Sequence, residues 1–457
     1  MAEIKKELVS QATLNNNVPI RIILLYALGQ AGWSLAVYGV SDLLNYFYLP
    51  PETDSSPMFP AYVYQGAVLG VATVLGLISF SGRFIDAFID PMVAGWSDRT
   101  VSSWGRRRKF MIFSFIPLSL FSCLVFMPPF PGENVQNIVW LITMLFFFYF
   151  SMSLYVTPYT ALISELAHTP DRALLISTLV SVTWALGFGI GNTAYALQAY
   201  FEQQWAMTAT AAFQSAMGIF GVLSAILMAI PVLFVDERAY CRQVPSEQSS
   251  IEAVKSVFAN RNFRYFVYSD LMYWVSLTFI QMGMGYYLTV LLGFAPEDVT
   301  TLLTVILGLS FAFYIPVNIA AKRWGKKRLL VASFSVFAIV FALIAVMGKL
   351  PLSPLMQVAL LGILASIPIA ITSILPNAVV TDIIASDAQI SGDHKAGQFF
   401  AVRTFMMKLG ISLANLLFPS VLLLGKSTDN DLGIRFTALL AVCFCLAGAF
   451  FLTRYKE

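Results

Sequence analysis

The chain has 457 residues, of which 58% are hydrophobic and only 12% charged, and its mean hydropathy is +0.75; soluble globular proteins carry about 25% charged residues. Its apolar residues gather into stretches of about twenty or more, the length an α-helix needs to cross roughly 30 Å of hydrocarbon. This predicts an all-α membrane protein and excludes a porin-like barrel, a soluble enzyme and a nucleic-acid binder. The net charge of +3 needs no anionic partner, because membrane proteins gather Lys and Arg in their cytoplasmic loops.

Met1 to Asn17 is polar, and no small-residue cleavage pattern follows the first apolar segment, so no cleavable signal peptide is expected. Twelve transmembrane helices are then predicted, near residues 19–49, 61–97, 108–128, 137–164, 173–200, 207–235, 263–293, 300–321, 328–348, 354–384, 397–424 and 433–453. Positive residues cluster at the N-terminus, after spans 2, 6 and 8, and at the C-terminus, whereas the opposite loops hold only Lys349, Lys426 and Arg435. Both termini are therefore expected in the cytoplasm, with the protein in the cell membrane. The longest polar stretch divides the chain into an N-terminal six-helix bundle (1–236), a cytoplasmic central loop (237–262) and a C-terminal six-helix bundle (263–457). Within that loop, Ile251, Val254, Val257 and Phe258 have helical spacing, which suggests a short interfacial helix.

A repeat supports the division. Trp104-Gly105-Arg106-Arg107-Arg108 follows span 2, and Trp324-Gly325-Lys326-Lys327-Arg328 follows span 8, 220 residues later. Twelve spans in two parallel six-span repeats is the architecture of a major facilitator transporter, whose substrate site lies near the membrane midplane.

Ionisable residues inside the spans carry the chemistry, because each costs about 2.5 to 3.5 kcal/mol to insert. In span 2, Asp86 and Asp90 are at i and i+4 on one helix face, with Arg83 one turn earlier. One arginine cannot neutralise both carboxylates, so they are expected to titrate as a coupled pair and to hold a proton or a cation, Na+ included. Lys408 lies deep in span 11, near mid-membrane, with Arg403 five residues earlier, and Lys408 is expected to face the substrate cavity. Asp42 in span 1 is a weaker candidate, as is Asp270 in span 7, which is shallow enough to cap a helix start or pair with Arg264. Tyr38, Trp33, Tyr155 and Trp184 are aromatic candidates for stacking on a sugar ring or lining an apolar groove. Gly187-Phe188-Gly189-Ile190-Gly191 and Gly66-x-x-x-Gly70 read as small-residue faces for close helix packing. His168 and His394 fall in cytoplasmic loops and are expected to be solvated.

Arg83-x-x-Asp86-x-x-x-Asp90-Pro91, the basic turn after it, Thr157-Pro158-Tyr159, Pro376-Asn377-Ala378 to Asp382, and Val402 to Lys408 together resemble the glycoside-pentoside-hexuronide:cation symporter family of the major facilitator superfamily. The resemblance, which is to its melibiose-permease-like members, covers nearly the whole chain. It implies that Asp86 and Asp90 are the coupling-cation carboxylates, that Ser153 supplies a hydroxyl near the cation, and that Lys408 is the lysine of the cation site. Two departures matter. Ile89 stands where sodium-using members have an amide, and Ser34, Val156 and Val180 stand where galactoside carriers hold their sugar, so the cation machinery looks kept and the galactoside set lost.

The expectation is a cation-coupled symporter, proton before sodium, for a small organic solute of the glycoside or sugar-acid class, acting by alternating access as a monomer in the lipid bilayer. No cofactor beyond the coupling ion is expected. A lysophospholipid-type transporter and a non-transporting membrane receptor or scaffold are the alternatives.

Overall fold

The structure, a computed structural model, describes residues 18–53, 56–68, 72–167, 170–241, 257–391 and 396–456. The two histidines and most of the proposed interfacial helix lie outside them. The helices, in chain order, are α1 (Ile20–Tyr48), α2 (Val74–Arg99), α3 (Arg106–Leu124), α4 (Val135–Leu166), α5 (Pro170–Asn192), α6 (Ala194–Trp205), α7 (Ala209–Phe234), the short α8 (Glu237–Tyr240), α9 (Arg261–Thr289), α10 (Pro296–Ala312), α11 (Tyr314–Trp324), α12 (Lys326–Ala345), α13 (Pro354–Ser391), α14 (Ala396–Val421) and α15 (Leu432–Arg454). α5 with α6, and α10 with α11, each break once within a single predicted span. Eight of the twelve spans are apolar and long enough to qualify on hydropathy alone. The remaining four are α2, α3, α9 and α10 with α11; α2 carries the ionisable motif, and α3 opens on three arginines and a lysine.

Side chains set several helix starts. Asn134 accepts from the Gln136 N–H at 2.8 Å ahead of α4, Thr208 from Ala211 at 3.3 Å ahead of α7, and Asn260 from Phe263 at 3.0 Å ahead of α9. The chain clusters into two compact units, Met1–Leu44 with Ile85–Ser246, and Asn45–Phe84 with Glu247–Glu457. In the first unit α3 packs on α4 and α7, and in the second α12 packs on α13 and α15. These are equivalent pairs in a repeated fold, so the internal repeat read from the two basic turns extends to packing. It extends to the backbone too: Gly105 (φ 99°, ψ 151°) and Gly325 (φ 84°, ψ 153°) precede α3 and α12 in the same conformation, one that residues with a Cβ rarely adopt.

One of the two small-residue faces is a helix contact. A Cβ at Gly187 would lie 2.0 Å from Ser34 Oγ and 2.5 Å from the Ala31 carbonyl oxygen, and one at Gly191 would lie 2.4 Å from the Tyr38 ring. α5 therefore rests on α1 through two glycines one turn apart, and Gly189 between them faces open space. Gly66 is different. Span 2 was expected to start near residue 61, but α2 starts at Val74, and Gly66 lies in a non-helical segment with two small antiparallel pairings, β1 (Glu52–Thr53) with β2 (Ser56–Pro57) and β3 (Ala67–Val68) with β4 (Ala72–Thr73). From residue 61 that segment reads as membrane-spanning because it is apolar, yet protein covers it: Tyr62 and Val63 are buried. The Tyr286 hydroxyl bonds the Asn45 and Leu49 carbonyl oxygens at 3.0 and 2.5 Å, and Gln65 donates to the Tyr48 carbonyl oxygen at 2.9 Å.

Candidate cation and solute site

α2 is two-sided. Ile85, Phe88, Met92 and Trp96 are exposed along one stripe, while Ser79, Arg83, Asp86, Val93 and Ser97 are buried on the other. The costly ionisable groups thus turn into protein, away from the exposed stripe. Asp86 is completely buried. The Ser153 hydroxyl of α4 donates to Asp86 Oδ1 at 2.8 Å, and the Thr157 hydroxyl donates to Asp90 Oδ1 at 3.1 Å. Two carboxylates four residues apart on α2 thus meet two hydroxyls four residues apart on α4, since on each helix an i, i+4 pair projects from one face. Thr157 was not singled out beforehand for this role; its distance of four residues from Ser153, matching that of the two aspartates, is the signal that identifies it.

In the second unit, Arg403 of α14 grips Asp270 of α9 through both carboxylate oxygens, at 2.9 and 3.2 Å, donates to Asn377 of α13, and lies over the Phe266 ring. This corrects the local reading of Asp270, whose partner is Arg403 rather than Arg264. It also makes Arg403 a tie among three helices. Lys408, at 8% exposure, lies on the same helix, where Ser412 and Asn415 continue its buried face.

The aromatic candidates have separate fates. Tyr38 is buried and donates to Asn192 Oδ1 at 2.5 Å, and Tyr155 is fully buried, donates to the Met228 carbonyl oxygen at 3.0 Å and stacks on Tyr159. Both hydroxyls are committed to neighbouring helices. Trp184 is 38% exposed and stacks on Phe188. Asp42 is buried at 6% exposure.

The first basic turn is anchored by two glutamates that the motif did not disclose. Glu165 takes Arg106 at 2.7 Å and Arg107 at 3.2 Å, and Arg107 also reaches Ser97. The Glu237 carboxylate accepts the backbone N–H groups of Arg106 (2.9 Å), Arg107 (3.0 Å) and Arg108 (2.8 Å), capping α3 from another part of the chain. Burial pushes the Glu237 carboxyl above its ordinary value of 4.5, opposed by those three N–H groups. In the second turn, Lys326 pairs with Asp382 at 2.5 Å, and Lys327 donates to the Thr453 and Tyr455 carbonyl oxygens.

Comparison with known proteins agrees with this architecture. The chain is 25% identical over 340 residues to the isoprimeverose transporter of Lactiplantibacillus pentosus, a match covering 73% of this chain and 64% of that protein, so less than two thirds of the relative's length. It is 21% identical over 432 residues to the inner membrane symporter YicJ of Escherichia coli (strain K12), covering 90% and 88% of the two chains. Among solved structures it superposes on the nucleoside transporter NupG with a TM-score of 0.66 at 14% identity, covering 96% of this chain and 99% of that one. The D-xylose-proton symporter gives 0.62 at 13%, covering 95% and 97%. At such identities the likeness is one of fold. Residues 25–455 match the profile of the MFS/sugar transport proteins, and this multi-pass membrane chain belongs to that family.

Proposed function

We propose that the chain is a proton-coupled symporter of the cell membrane, with both termini cytoplasmic, that carries a glycoside or sugar acid. The observation that supports it most is Asp86, a carboxylate with no solvent exposure, hydrogen-bonded by Ser153 in the interior of a membrane helix pair. A charge there is costly, and a proton on Oδ2 removes it while leaving the Ser153 bond to Oδ1 in place. Protonation then changes the free energy of the site by the amount that coupling requires, because solute binding and conformational exchange respond to whether the carboxylate is charged. Arg83, on the same buried face of α2, sets the local charge balance.

A proton is preferred because Ile89 contributes no oxygen toward a metal ion. Sodium is the second reading, favoured by one observation: Asp86, Asp90, Ser153 and Thr157 bring carboxylate and hydroxyl oxygens together in two adjacent pairs. The relatives named as an isoprimeverose transporter and as symporters support a saccharide cargo. The test is uptake into proteoliposomes of isoprimeverose, D-xylose and D-glucuronate, first under an inward proton gradient without sodium, then under a sodium gradient at equal pH. Accumulation driven by the proton gradient agrees with the proposal. Accumulation that follows sodium alone replaces the proton with sodium, and facilitated equilibration without accumulation refutes coupling.

A further inference from the structure

Of the buried polar atoms of the second unit with no hydrogen-bonding partner among the described residues, two on adjacent helices are complementary. The Trp274 indole Nε1 on α9 only donates, and the Asn415 Oδ1 on α14 only accepts. The two helices touch closely: a Cβ at Gly410 would lie 2.8 Å from the Leu271 carbonyl oxygen and 3.3 Å from Trp274 Cβ. Asn415, at 5% exposure, follows Lys408 and Ser412 along one buried face of α14. Neighbouring hydroxyls are satisfied. Ser412 donates to the Lys408 carbonyl oxygen at 2.8 Å, Thr278 to that of Trp274 at 2.7 Å and Ser276 to that of Met272 at 2.9 Å. The indole and the amide oxygen are therefore local exceptions to the rule that buried polar groups are paired, a rule stricter still in a membrane, where lipid offers no partner.

The internal repeat supplies a second, independent observation. Trp274 lies thirteen residues after Arg261, the start of the 29-residue α9, and Trp33 lies thirteen residues after Ile20, the start of the 29-residue α1. The Trp33 Nε1 is likewise buried with no partner among the described residues. One unpaired indole is an accident that packing can produce. Two at the same station of equivalent helices indicate a donor kept available in each repeat. At about 1.5 Å per residue each sits roughly 20 Å along its helix, near the middle of a membrane crossing and at the depth where carriers of this architecture bind solutes.

A group that accepts from an indole and donates to an amide oxygen is a hydroxyl, and a solute dense in hydroxyls is a saccharide. An acyl chain satisfies neither atom. We propose that Trp274 Nε1 and Asn415 Oδ1, both in the second unit, bind hydroxyl groups of the transported saccharide. The inference rests on the saccharide reading of the function and names its recognition residues.

The test uses the purified full-length protein, with binding and thermal stabilisation by methyl β-D-xyloside, methyl β-D-glucoside and D-glucuronate. Monodeoxy derivatives of whichever stabilises most are then compared on wild type, Trp274→Phe and Asn415→Leu. Each substitution is expected to weaken the parent saccharide about tenfold, the usual weight of one hydrogen bond. For each, one deoxy derivative should bind wild type and variant equally, because it lacks the hydroxyl that the residue would hold. Without saccharide Asn415→Leu should be at least as stable as wild type, since it removes an unpaired polar atom at nearly constant volume; a merely structural role predicts loss of stability. If all deoxy derivatives discriminate the same way in wild type and variants, the recognition role is overturned while the saccharide reading stands. If no saccharide binds wild type, that reading fails and the inference with it.

Discussion

Replacing Glu237 with Ala removes the acceptor of three backbone N–H groups at the start of α3, at distances of 2.8 to 3.0 Å. Hydrogen bonds to a charged group contribute about 1.5–3 kcal/mol each, but three on one carboxylate do not add, and water reaches part of the vacated turn. Loss of the buried Arg107 N–H bond and of the favourable charge at the helix start together give an expected destabilisation of about 3 kcal/mol. At about 2–4 °C per kcal/mol for a unit of this size, the Tm in detergent should fall by about 6–12 °C. Glu237→Gln keeps an acceptor and should lose about half as much. The pH dependence has a definite sign. Because burial lifts the Glu237 carboxyl above 4.5, the folded chain holds this proton more tightly than the unfolded chain. The contribution of this group to stability therefore falls as pH rises from about 4.5 through the folded value, and is flat beyond it. Glu237→Gln should remove that slope. A Tm for Glu237→Ala within 1 °C of wild type, by the ~2–4 °C scale, would refute the capping argument.

Asp86→Asn keeps shape and one acceptor for Ser153 but cannot gain or lose a proton; accumulation of solute should vanish while counterflow exchange persists, and full accumulation would sink the coupling assignment. Lys408→Ala should reduce accumulation and displace the pH profile of transport, whereas an unchanged profile would make the lysine structural only. Gly187→Ala places a methyl group 2.0 Å from Ser34 Oγ and should cost about 1–3 kcal/mol, read as a lower Tm. Gly189→Ala, with nothing within 4 Å, should be neutral or stabilising through helix propensity, and equal effects at the two sites would contradict the α1–α5 contact.

The sequence disclosed the span 2 carboxylates because ionisable groups are rare and expensive in a bilayer, so each one present carries information. It disclosed the two basic turns because glycine at that backbone conformation and cations beside a membrane span are both local requirements. It did not disclose Glu237 as a cap, since 131 residues separate it from Arg106 and only the fold brings them together. Asp270 shows the same limit: the nearest arginine along the helix was a reasonable partner, and packing supplied Arg403 from α14 instead. The segment before Val74 misled for another reason. Hydropathy registers removal from water without saying whether lipid or protein does the removing, so Tyr62 and Val63 read as membrane-spanning when they are covered by protein.

The two-sidedness of α2 constrains how that helix can travel during a transport cycle. Rolling it about its own axis by a third of a turn would strip Asp86 and Asp90 of their hydroxyl partners and bring Phe88 and Met92 inward, at about 2.5–3.5 kcal/mol for each carboxylate left charged and unpaired within the membrane. Tilting or sliding along its length keeps both carboxylates against the Ser153 and Thr157 hydroxyls and carries no such penalty. α2 is thus keyed like a shaft in a slot, free to swing and barred from spinning, and α4 must move with it for as long as the site is charged.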